Sequence, residues 1–165
     1  MSAYDSADAD FLDRREPFEK AAAMQLGLIV LAYSRLDLTL EKCLSALGGD
    51  GDARVRARLL SSLPFATKLD HLCGSVAAMP DGERKLAFEA WIARCDTMPI
   101  LWNERVRARW LPDVRTGRLV NLVAAPGGGQ ELAAYAAGDL EQIIQTLGEL
   151  QASLSRLAAP AESAV

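Results

Sequence analysis

Histidine occurs once in this chain of 165 residues, and cysteine three times. A zinc site needs several nitrogen or sulfur ligands at recurring spacing, so a lone His71 leaves no metal centre to expect. Cys43, Cys73 and Cys95 are odd in number and none forms a CxxC pair. They read as reduced thiols among apolar neighbours in a cytoplasmic protein. Aromatic residues make up only 6% of the chain, and with Ala and Leu abundant this favours helices. Charge of one sign is also lacking. The net charge of −4 supplies no global basic field to draw in nucleic acid. Long apolar runs are missing too. Between Lys20 and Arg35 stand 14 uncharged residues, AAAMQLGLIVLAYS, where a membrane-spanning helix needs about 20. The opening MSAYDSADAD is acidic and lacks the apolar stretch of a signal peptide.

What is present is helical periodicity. Half of the residues are hydrophobic, enough for one domain with a sizeable core. From residue 17 to 48, Ala22, Leu26, Ile29, Tyr33, Leu36, Leu40, Cys43 and Leu47 alternate steps of four and three. That spacing predicts a helix with one continuous apolar stripe, begun by Pro17 in its first turn and ended by Gly48-Gly49. Val30, Leu31, Leu38 and Leu44 widen its apolar surface toward further neighbours. A short helix, ARVRARLLSS, follows the Asp50-Gly51-Asp52 turn. Ser62 and Pro64 then introduce a third helix with Phe65, Leu69, Leu72 and Val76 on one side. A fourth is predicted from about 83 to 111, with Phe88, Trp91, Cys95, Met98 and Trp102 in phase and a kink at Pro99. LVNLVAA and ELAAYA around Gly127-Gly128-Gly129 predict a small β-hairpin. Asp139, with Gln142 three residues on, predicts the cap of a last helix carrying Ile143, Leu147, Leu150, Leu154 and Leu157. The expected fold is all-α: an up-and-down four-helix bundle with a short extra helix and a hairpin insertion. Residues 1–15 are expected to form an acidic flexible arm, 16–158 the domain, and 159–165 a frayed tail.

Few residues carry chemistry. The glycine triplet lacks the Gly-Lys-Ser/Thr ending of a phosphate loop, so it reads as a hairpin tip. His71 shares a helix face with Thr67, Lys68, Gly74 and Ser75, a polar surface with no evident Ser or Cys nucleophile paired to the imidazole. The segment WNERVRARW, residues 102–110, sets three arginines between two tryptophans. On a helix Arg105 and Arg109 share a face, and Arg107 points roughly the other way. These arginines form either a solvated face paired with Glu104 and Asp113, or a phosphate- or RNA-binding strip whose affinity falls steeply with salt. Trp102 and Trp110 read as core or interface anchors.

The order LGLIVLAYSRLDLTLEKCLSAL, LPFATKLDHLCGSV, ILWNERVRARW and GDLEQIIQTLGELQASL resembles small bacterial proteins of the HEPN superfamily over roughly residues 20–157. The resemblance implies a helical bundle, commonly dimeric, and in many members a metal-independent ribonuclease. That family's signature is Arg, then Asn, Asp or His, about three residues, then His, often with a tryptophan soon after. Laid on WNERVRARW, it puts Asn103 in the second place, Trp110 in the trailing place, Trp102 where the arginine belongs and Arg107 where the histidine belongs. Cleaving RNA without metal means taking a proton from the 2′-hydroxyl and giving one to the leaving oxygen. Arginine stays protonated and cannot be that base, though it can stabilise anionic charge. Losing the general acid–base alone removes on the order of 10² to 10⁴ in rate.

The expected function is therefore non-catalytic: a HEPN-like bundle acting by homodimerisation or by binding a protein, with a degenerate ribonuclease site. The alternatives are a ribonuclease that uses Arg105, Arg107 and His71, or an RNA or nucleotide binder without turnover through Arg105, Arg107 and Arg109. No cofactor and no membrane partner are implied.

Overall fold

A computed structural model describes residues 3–48, 53–95, 109–113, 116, 118–124 and 130–159. The chain is mainly helical with one small antiparallel sheet, as its composition and periodicity predict. Among the described residues five helices occur: α1 (Ala3–Leu47), α2 (Ala53–Ser61), α3 (Phe65–Ala77), α4 (Glu83–Cys95) and α5 (Ala137–Ala158). Between α4 and α5 lie β1 (Arg109–Asp113), β2 (Arg118–Ala124) and β3 (Gln130–Tyr135), in the order β1-β2-β3. The Gly49 to Asp52 turn, the Pro99 kink, the glycine triplet 127–129 and the tail from residue 160 lie outside the described residues.

Two compact units divide the chain. The first comprises Met1–Leu31 with Ile100–Gln145, the second Ala32–Pro99 with Thr146–Val165. In the second unit the predicted stripes meet in one core. Tyr33, Leu36, Leu40 and Cys43 of α1 are buried, as are Phe65, Leu69, Leu72 and Val76 of α3, Phe88, Trp91 and Cys95 of α4, and Leu147, Leu150 and Leu154 of α5. Tyr33 and Phe65 stack at 5.2 Å between ring centroids. In the first unit Leu119 and Asn121 of β2 are buried together with Ala22, Ile29 and Leu140.

Four local expectations are corrected. The helix predicted to open at Pro17 starts at Ala3, so Pro17 lies inside α1 and the acidic stretch before it is helical. Of the helix predicted over 83–111, Glu83–Cys95 is helical, residues 96–108 lie outside the described residues, and Arg109–Asp113 forms a strand instead. That strand turns the expected hairpin into a three-stranded sheet. Pro112 is compatible with this strand because β1 lies at the edge of the sheet, where prolines within sheets are confined. Ser62 does not cap α3: its hydroxyl donates to the Leu59 carbonyl at 2.7 Å, and an extended Pro64 precedes the helix without a side-chain cap. Asp139 lies inside α5 rather than at its cap. Its Oδ2 accepts from the Ala136 N–H at 2.8 Å, the reach-back half of a capping box with Ala136 at the cap.

Candidate functional site

The segment that raised the functional question is only partly described. Trp102, Asn103, Arg105 and Arg107 lie outside the described residues, as does Arg115. Arg109 and Trp110 open β1 and do not share a helix with anything upstream. Consecutive strand residues point to opposite faces. Trp110 sits opposite Asn121 of β2, on the sheet face that also carries Leu119 and Tyr135. Its indole meets the Tyr135 ring edge-on, with 5.3 Å between centroids. Arg109 is exposed on the other face, with Leu111 and Arg118. The tryptophan is thus an anchor of the sheet, and a helical strip running through Arg105 to Arg109 is excluded at its last member.

His71 is exposed on α3, as expected of a solvated histidine. Its predicted companion Lys68 is not on that polar face. Lys68 is 1% exposed and its ammonium is the centre of a buried charge cluster in the second unit. Lys68 Nζ donates to Asp37 Oδ1 at 2.8 Å, to Asp37 Oδ2 at 2.7 Å and to Glu41 Oε1 at 2.6 Å. Asp37 and Glu41 are four apart on α1 and therefore share one face, one turn apart. The ammonium offers three donors, and these two carboxylates occupy all of them. A lysine so held is no free nucleophile or base; it is a pin between α1 and α3. Tyr33, one turn before Asp37, has its hydroxyl held protonated well above the usual phenol range, first by burial and then by the Asp37 charge.

The cysteines behave as the sequence suggests for two of three. Cys43 and Cys95 are buried, and burial pushes their thiols up to about 11 and about 12, against small opposing pulls from Arg84 and Arg94. At neutral pH both are protonated and inert. Cys73 is exposed instead of lying in the core. Among the described residues no group of three or more His, Cys, Asp and Glu is placed to hold a metal ion.

A prominent surface feature is on α1: two of its residues, Leu31 and Leu38, are ones the sequence assigned to further packing, and two, Met24 and Leu28, are not. Met24, Leu28, Leu31 and Leu38 are 63, 43, 53 and 50% exposed. Their spacing of four, three and seven residues makes a second apolar stripe, distinct from the buried one. Arg35 fills the gap in this stripe and is exposed. Over Pro17–Leu47 the helix is also long and apolar enough to cross a membrane by length and composition.

No family model, curated protein or solved structure matches this chain.

Proposed function

We propose that this chain is a non-catalytic helical-bundle module that acts by self-association or by binding a partner protein, using the exposed stripe of α1. The observation that carries the reading is that stripe: four large apolar side chains at helical spacing, each about half or more in water. Scattered exposed leucines are ordinary, but a contiguous row on one helix marks an interaction surface. A bilayer is the poorer occupant. The same stretch of α1 carries Arg35, Asp37, Glu41 and Lys42, and its opposite side, Leu36, Leu40 and Cys43, is already buried against protein.

Magnitudes set the conditions of the test. Covering the exposed half of each side chain contributes about 1 kcal/mol, or about 8 kcal/mol for a symmetric pair of stripes. Association costs about 4–15 kcal/mol in lost freedom, so self-association through this surface alone is weak. Sedimentation velocity from about 1 to about 300 µM is expected to show a concentration-dependent dimer. A Leu28→Glu/Leu31→Glu double variant is expected to stay monomeric with its melting temperature within about 2 °C of wild type, because both sites are surface positions. A wild type that remains monomeric throughout removes self-association. A variant that associates like wild type removes this face of α1. Flotation of wild type, but not the variant, with phosphatidylcholine vesicles would assign the stripe to a membrane surface instead.

The HEPN resemblance supports the non-catalytic part of the reading, since it puts Trp102 and Arg107 where the charge- and proton-handling groups belong. Purified protein is accordingly expected to leave single-stranded RNA intact with or without a chelator. Trp102→Arg/Arg107→His is the variant expected to gain cleavage. Metal-independent cleavage by wild type that disappears in Arg107→Ala would overturn this part and establish a ribonuclease using other groups. Salt-sensitive RNA binding lost on joint neutralisation of Arg105, Arg107 and Arg109 would favour a binder without turnover.

A further inference from the structure

The first unit contains a cavity of about 190 Å³ lined by Phe18, Ala21, Ala22, Gln25, Leu119, Tyr135 and Leu140. Residues 18, 21, 22 and 25 follow helical spacing, so one face of α1 forms one wall; β2, β3 and the start of α5 contribute the others. The cavity is partly open, and Ala21 is the exposed residue among those that line it. We propose that this cavity is a binding site for a small neutral molecule of single-ring size bearing one hydrogen-bonding group, a phenol in its simplest form. The inference is separate from the α1 stripe and goes beyond the interaction function.

Size, lining and charge each restrict the ligand. An apolar protein cavity of about 150 Å³ is large enough to take benzene, so the volume here accommodates a substituted single ring and little more. Phe18 and Tyr135 put two aromatic rings into the wall, which suits a flat apolar body stacked or edge-on. Tyr135 is itself held against Trp110, so one side of the site is fixed before any ligand arrives. None of the seven lining residues is Lys, Arg, His, Asp or Glu. A charged ligand would lose water there and find no counter-ion, which selects for a neutral one. Gln25, half-buried on the wall, is the amide that can give or accept the single hydrogen bond. A cavity with few polar partners is also a poor home for ordered water, so an apolar ring displaces little.

The test is ¹⁹F NMR titration of the full chain with 4-fluorophenol, fluorobenzene and 4-fluorobenzoate. The expected result is saturable binding of 4-fluorophenol with a Kd of about 0.1–3 mM, the range open to a ligand of so few atoms. Fluorobenzene is expected to bind more weakly, and 4-fluorobenzoate at least about tenfold more weakly than the phenol because of its charge. Ala21→Leu, a change at an exposed edge that fills the opening, is expected to weaken phenol binding at least about tenfold while the circular dichroism spectrum is unchanged. Gln25→Leu is expected to erase the preference for the phenol over fluorobenzene. No saturation by about 5 mM, equal binding by Ala21→Leu, or benzoate binding as well as phenol overturns the proposal. A phenol preference that survives in Gln25→Leu overturns the role given to the amide.

Discussion

Lys68→Met lowers the stability of this protein by about 3 kcal/mol, a drop of about 6–12 °C in melting temperature for a chain of this size. The methylene stem of Lys68 is already enclosed and methionine fills nearly the same space, so packing is largely kept. What is lost is the ammonium. Asp37 and Glu41 then stand one turn apart on α1, both negative, with the cation that faced them gone. Removing one member of a buried ion cluster typically costs about 3–5 kcal/mol, because the remaining charge stays desolvated. The lower part of that range applies here: Asp37 and Glu41 keep 28 and 17% of their side-chain surface in water and can recover some hydration. Asp37→Ala is expected to cost less, since Lys68 retains Glu41 and the pair left behind is neutral. The triple variant Lys68→Met/Asp37→Leu/Glu41→Leu is expected to recover most of the loss, since replacing all the buried charges by apolar groups removes the desolvation penalty along with the attraction. Denaturant titrations of the four proteins measure this ordering. A Lys68→Met variant within about 0.5 kcal/mol of wild type would falsify the buried pin, placing that lysine among ordinary surface positions.

The same lysine marks how far the sequence could be read. The core stripes of α1, α3, α4 and α5 were legible because an apolar face repeats every three to four residues, and Leu36, Leu72, Trp91 and Leu150 are buried as that rule requires. Lys68 follows the polar Thr67 and precedes Leu69 and Asp70, and nothing local distinguishes it from a solvated lysine. Its burial depends on two carboxylates that lie 31 and 27 residues earlier and meet it only after α1 and α3 pack. A weak signal existed: Asp37 and Glu41 are spaced i,i+4 beside the apolar stripe, where a cation from a neighbouring helix could reach both. The strand at Arg109–Asp113 was missed for a different reason. Trp110 stands eight residues after Trp102, close to the phase of a helix, while a strand of five residues is too short to announce itself by alternation. The exposed half of α1 was visible as apolar residues, but a sequence does not say which apolar face finds cover. Met24, Leu28, Leu31 and Leu38 obey the same spacing as the buried set and differ only in what surrounds them.

Trp91→Ala is expected to be as damaging as Lys68→Met or more so, at about 3–5 kcal/mol, and a comparison with Trp91→Phe separates its causes. The indole is 2% exposed on α4, and its Nε1–H donates to the Leu150 carbonyl of α5 at 2.9 Å. Truncation to alanine removes the ring, opens a cavity and breaks that bond together. Phenylalanine keeps a ring in the site and loses the bond and part of the volume. Breaking a hydrogen bond is most costly when the other partner is left buried and unsatisfied. Here the Leu150 carbonyl, inside α5, also accepts the Leu154 N–H of the helix and the Ser153 hydroxyl at 3.0 Å, so it keeps partners in either variant. Trp91→Phe should therefore cost only about 1–2 kcal/mol, most of it from the lost volume. The exposed Arg94–Glu149 pair, 3.5 Å apart across the same two helices, cannot make up the difference, because surface ion pairs contribute about 0–1 kcal/mol. Adding Ser153→Ala to Trp91→Phe removes the second side-chain donor. Because the helix bond remains, the double variant is expected to lose no more than the sum of the two single changes, to within about 0.5 kcal/mol. A coupling of about 1 kcal/mol or more would mean that the two side-chain donors, rather than the helix bond, keep the Leu150 carbonyl satisfied.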